Sequence, residues 1–175
     1  MSMRDQIRMA LDAGWLINID PALRSIPHRR IIYVTRSLQE ELERELLDEA
    51  LEHRTSQLYQ TFDTFISGNL VTVGGRHDDS FMKLLEPEDE QVWEIRSISP
   101  KPSIRVFGRF AEPDVFVATN KGFRADLGGF GSVGFKRAMT TCLQEWRKCF
   151  QNWPAFTGRH FNDYITSGAV DLRDL

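Results

Sequence analysis

The stretch Gln91–Phe123, QVWEIRSISPKPSIRVFGRFAEPDVFVATNKGF, constrains the fold most, because it alternates in twos over successive runs. Val92–Ile98 sets Trp93, Ile95 and Ser97 against Val92, Glu94, Arg96 and Ile98. Ser103–Phe110 sets Ile104, Val106, Gly108 and Phe110 against Arg105, Phe107 and Arg109, and Val115–Thr119 is short and apolar. A period of two marks a strand, and the links Ser99-Pro100-Lys101-Pro102 and Ala111-Glu112-Pro113-Asp114 are turn-rich and of hairpin length. The reading is an antiparallel β-meander with arginines on its polar side. Those arginines either line a site or face water.

Helices are expected on both sides of the meander in the chain. Ser2–Ala13 carries an apolar stripe of Met3, Ile7, Ala10 and Leu11, with Ser2 as N-cap and Gly14 as stop. Trp15–Ile19 reads as an apolar linker and Ile31–Thr35 as a β-branched strand. Ser37, with Glu40 as its capping-box partner, opens a helix that runs to about Ile66, with a break near Arg54–Ser56. Asn69–Val73 is a short strand or loop, Gly74–Asp79 a polar loop, and Ser80–Leu85 one helical turn. Ser132 caps a helix over Val133–Phe150, and Arg159–Thr166 is a last short helix, where His160, Asp163 and Tyr164 form a local cluster or surface decoration. The fold class is α+β: an antiparallel β-meander sheet packed against helices, with an extra N-terminal helix and a C-terminal helical tail. One domain is expected over residues 1–175, divided into an N-terminal extension (1–28), a core (29–150) and a tail (151–175).

Composition excludes several classes. No apolar run approaches the roughly 18 residues of a membrane helix, and Arg4, Asp5, Arg8 and Asp12 interrupt the N-terminus as no secretory leader would. A cytoplasmic protein without membrane contact is expected. Cys142 and Cys149 lie on one predicted helix with Cα atoms roughly 10 Å apart, beyond disulfide reach. The histidines are scattered, so no metal site and no cofactor is expected.

The net charge of −3 conceals two opposed blocks. Residues 37–95 hold 4 Lys/Arg against 15 Asp/Glu, a balance of −11, and residues 96–148 hold 10 against 4, a balance of +6. The basic block suits an anionic partner such as RNA, unless the two blocks neutralise each other. The acidic run from Glu40 to Glu52 is a solvated face or a docking face for something basic, including the chain's own sheet.

From Phe81 to about Phe150 the chain resembles the RelE/HigB superfamily of bacterial toxins, particularly its phage-derived relatives. Phe81-Met82-Lys83-Leu84-Leu85, Val92-Trp93-Glu94-Ile95-Arg96 and Ile104-Arg105-Val106-Phe107 carry the resemblance. An apolar strand (Val115–Ala118), a basic loop (Lys121–Arg124) and a helix containing Phe135–Ala138 follow in the family's order. The resemblance implies a metal-independent mRNA endonuclease that acts on RNA, usually at the ribosome, and is silenced by a small antitoxin. In it the 2′-OH attacks the adjacent phosphate, so the site must gather positive charge and move protons. The resemblance assigns Arg105 as phosphate clamp, with Arg96 and Lys121 as further catalytic residues, and Arg109, Arg124 and Lys101 as RNA contacts. Lys121, His77 and His160 are the candidate proton carriers. Ile104 stands where the family often has tyrosine, and only Arg124 follows Gly122-Phe123 where paired lysines are frequent. These departures motivate an alternative, a non-catalytic scaffold that binds protein or RNA. Arg96 and Arg105 would then pair with Glu94 or other carboxylates across strands.

Overall fold

A computed structural model describes residues 1–74 and 79–174. Its helices are α1 (Met3–Asp12), α2 (Arg36–Leu46), α3 (Glu52–Ile66), α4 (Arg124–Leu127), α5 (Val133–Phe150) and α6 (Phe161–Tyr164). The strands are β1 (Leu16–Asn18), β2 (Ile31–Thr35), β3 (Val71–Val73), β4 (Met82–Leu84), β5 (Trp93–Ser97), β6 (Ile104–Glu112), β7 (Val115–Phe123) and β8 (Ala169–Asp171). Among the described residues they form one sheet in the order β1-β2-β7-β6-β5-β4-β3-β8.

The sheet is mixed, which corrects the expectation of an antiparallel meander. Antiparallel pairing runs from β4 through β7, but β2 joins β7 in parallel, and β3 joins both β4 and β8 in parallel. Ile32 and Val34 of β2 are fully buried, as befits a strand inserted inside a sheet.

Both faces of the sheet are covered. Val106 packs with Leu38, Leu42, Leu58 and Phe62, placing α2 and α3 on the first face. Its neighbour Phe107 packs with Phe135, Met139 and Cys142 of α5 on the second face. Ile7 and Ala10 of α1 join Trp146 and Phe150 there. The chain alternates across β6, so consecutive residues enter different cores.

Several elements differ from the sequence reading. The linker at Trp15–Ile19 contains β1, because Leu16 pairs with Thr35 and seals the edge of β2. Thr35, not Ser37, caps α2, its hydroxyl accepting from Leu38 N–H at 3.4 Å. The long helix divides after Leu46 rather than near Arg54: the Asp48 carboxylate accepts from Ala50 N–H at 2.9 Å and turns the chain. Arg54 instead lies buried within α3 and donates to the carbonyls of Pro102 and Ser97 at 2.7 Å each.

The proposed helical turn at Ser80–Leu85 is β4, which follows the register of β5. Lys121 lies within β7, so the basic stretch Lys121–Arg124 divides between a strand and α4. The final helix shortens to Phe161–Tyr164, and the tail continues as β8. Arg30 secures that tail, donating to Phe65, Asn69 and Ser167 carbonyls at 2.9–3.1 Å, which also closes the end of α3. The N-terminal segment 1–28 is more than a helical extension, since β1 belongs to the sheet and α1 packs on α5.

Ser2 caps α1 and Ser132 caps α5, each hydroxyl accepting from a backbone N–H three residues on. No helix among the described residues is long and apolar enough to cross a membrane.

Candidate functional site

Strands β5 and β6 set Arg96 directly opposite Arg105. Two like charges facing each other across an antiparallel pair repel. Glu94 relieves that conflict. Its Oε1 accepts from Arg96 Nε at 2.7 Å, and its Oε2 lies 3.7 Å from Arg105 Nε. Arg96 Nη1 donates to Ser80 Oγ and Arg105 Nη1 to Ser103 Oγ, both at 2.7 Å. Glu94, Arg96 and Arg105 are 2%, 5% and 2% exposed. The assigned phosphate clamp is thus sealed inside the second face, and neither arginine meets an open surface. This is the pairing with Glu94 that the alternative reading described.

Lys121 points the other way. It stands opposite Val106, the neighbour of Arg105, and therefore lies on the first face. Its ammonium sits 2.7 Å from Glu45 and 3.3 Å from Glu41 of α2, with 3% of its side chain exposed. Thr55 of α3 donates to the second oxygen of Glu45 at 3.0 Å. Part of the acidic run is therefore a docking face for the chain's own sheet, while Glu40, Glu43, Asp48, Glu49 and Glu52 remain exposed. Arg96, Arg105 and Lys121 do not converge, because a sheet separates them.

The expected RNA contacts are dispersed too. Arg109 is half-buried, donates to Glu90 O at 2.8 Å and lies 4.9 Å over the Trp146 ring; burial lowers its pKa. Arg124 donates to Gly128 O and lies 5.6 Å over Phe135. Lys101 is exposed in the β5–β6 turn. His77 lies outside the described residues. No group of three or more His, Cys, Asp or Glu among the described residues is placed to hold a metal ion.

The cations that do gather at a surface are different ones. A cleft of about 810 Å³ opens between the end of β3, β4, β5, the 128–131 loop, α6 and the chain after β8. Trp93 and Tyr164 line it, with ring centroids 4.8 Å apart, and Phe156 packs behind Tyr164 at 5.4 Å. The Tyr164 hydroxyl donates to Gln91 Oε1, so the tyrosine is turned inward and burial raises its pKa. Trp93 Nε1 is a buried donor with no acceptor. Lys83, Arg159 and Arg173 line the same cleft with His160, Phe130 and Phe161, and Glu86 and Glu88 border it as well. Lys83 Nζ lies 5.1 Å over the Phe130 ring, and Arg173 is paired with Asp171 at 2.6 Å. Asp163 accepts from the backbone N–H groups of His160 and Arg159 at 3.0 and 2.7 Å, which lowers its pKa.

Of the catalytic, RNA-contact and proton-carrier candidates among the described residues, His160 alone lines this cleft. Lys83, Trp93, Arg159 and Arg173 are spread over some 90 positions of the chain, and the parallel pairing of β3 with β8 draws the last of them in. No local spacing could have announced that. The chain matches no protein-family model, and no curated protein or solved structure matches it significantly.

Proposed function

We propose that the protein binds single-stranded RNA in this cleft and does not cut it. The observation that carries the reading is the lining: Lys83, Arg159 and Arg173 share the cleft wall with the rings of Phe130 and Phe161. Single-stranded RNA offers phosphates for the cations and unstacked bases for the rings. The volume of about 810 Å³ falls within the range of ordinary ligand sites. Glu86 and Glu88 repel phosphate, and Lys83, Arg159 and Arg173 on the same cleft offset that repulsion. Burial of Arg96 and Arg105 against Glu94 supports binding over cutting, since a clamp must reach the charge that develops on the phosphate.

The test is titration of a fluorescent single-stranded RNA, read by anisotropy at two salt concentrations, with the RNA then run on a denaturing gel. Binding that weakens as salt rises, falls at least about tenfold in Lys83→Ala/Arg159→Ala, and leaves the RNA intact is expected. No binding, or binding indifferent to that double substitution, overturns the reading.

A second reading is a RelE/HigB-like, metal-independent endoribonuclease, and one observation favours it. His160 is exposed on the same cleft beside Arg159. Imidazole is the commonest group for moving a proton in such a step, and a neighbouring guanidinium can steady the phosphate. RNA cut in the presence of EDTA, with cutting lost in His160→Ala, would establish it. Intact RNA after long incubation would dispose of it.

A further inference from the structure

Phe130 is a large apolar residue left 57% exposed, and its setting is unusual. Gly128 and Gly131 flank it with φ of +78° and +75°, values that side chains rarely adopt. A Cβ at Gly129 or Gly131 would meet no atom within 4 Å, so there is open space beside both positions. The ring stands between two hollows. One is the cleft of about 810 Å³, and the other, about 280 Å³, is lined by Glu90, Phe135, Lys136 and Met139. Phe130 and Glu86 border both. Behind the ring, Phe135 supports it at 6.2 Å between centroids, tilted by 54°. Lys83 covers it as a cation–π contact.

A solvent-exposed aromatic on a glycine-rich arm has no role in the core. Exposed single rings are common enough. This one, however, is held beside the cations of the main cleft, and its face is occupied by an ammonium that a long flexible stem can move.

We propose that Phe130 is a stacking flap: it takes one unpaired base on its face, and Lys83, displaced from the ring, moves to the adjoining phosphate. This rests on the RNA-binding reading and deepens it. The ligand is then recognised as a base joined to its phosphate, and a bare polyanion of equal charge is a poor substitute. The glycines supply the freedom for the ring to settle on bases of different size, so stacking is tolerant of sequence.

The test compares two labelled strands of the same length on the full chain, one an ordinary RNA and one an abasic sugar-phosphate. Wild type should bind the ordinary strand about tenfold more tightly, the usual scale for one stacked base. Phe130→Ala should lose that advantage and keep its affinity for the abasic strand, while Phe130→Trp should keep both. Circular dichroism should be unchanged in either variant, since the side chain fills no core. Equal affinity of wild type for the two strands, or an undiminished advantage in Phe130→Ala, overturns the flap and leaves RNA binding standing. Failure of wild type to bind either strand removes both. Binding of an acidic aromatic peptide in place of either strand reassigns the cleft to a protein partner and also removes both.

Discussion

Glu94 and Arg96, two residues apart on β5, close a fully buried ion pair at 2.7 Å, and the same carboxylate lies 3.7 Å from Arg105 on the next strand. The Glu94 carboxylate thereby lies between two facing guanidiniums inside the second core. Exposed pairs of this kind contribute little to stability, but a buried pair punishes the loss of either partner.

Glu94→Gln keeps the shape and removes the charge. It leaves the Glu94 contacts of both guanidiniums uncharged, so the expected cost is about 3–5 kcal/mol in urea unfolding. A loss below about 1 kcal/mol would mean that water already reaches the cluster.

On the opposite face, Lys121→Met breaks the links to Glu45 and Glu41. Glu45 keeps its bond from Thr55 and Glu41 is 38% exposed, so the expected loss is smaller, about 1–3 kcal/mol. Lys121→Met/Glu45→Met should recover most of it, because an apolar pair of similar volume needs no charge balance. A double-mutant cycle checks this, and additivity of the two changes would contradict direct pairing.

Burial pushes the thiols of Cys142 and Cys149 up to about 12 from 9.0. The protonated form is the one the fold favours. Their contribution is complete below pH 9 and declines as pH rises towards 12, where the folded protein must accept buried thiolates. Unfolding followed at pH 8 and pH 10.5 should show lower stability at the higher pH. At pH 8 a thiol reagent should label neither cysteine in the native protein and both in denaturant; rapid native labelling would contradict their burial.

Gly108 lies at a register shift between β6 and β7, where a Cβ would sit 2.3 Å from Val117 O and 2.5 Å from the Phe116 ring. Gly108→Ala must therefore push the strands apart, at an expected cost of about 1–3 kcal/mol in thermal or urea unfolding. A neutral result would show that the bulge absorbs a methyl group without strain.

The parts legible in the sequence were those set by local pattern. The alternation of β5 and β6 placed Trp93 and Ile95 on the side opposite Glu94 and Arg96, as the two cores require. Helix α5 was legible to the residue, because Ser132 caps it and its apolar face repeats with the helical turn. The division of the acidic helix was misplaced because Asp48 makes its turn through a side-chain bond that periodicity does not register.

The candidate site was legible only in the residue types it needs. Alternation left Lys121 in a loop beyond its strand; it places Arg96 and Arg105 on strands, yet does not tell whether a helix covers them. That depended on α5 closing one face and α2 bringing Glu41 and Glu45 to the other. Likewise Lys83, Phe130 and Arg173 are far apart in the chain, and Arg173 reaches the cleft because the tail returns as β8 beside β3. Short-range spacing determined the elements, since a strand or helix answers to neighbours a few residues away. Which charges are buried and which line a cleft was decided by tertiary structure, because burial depends on segments far apart in the chain, as Arg30 and Ser167, 137 positions apart, show.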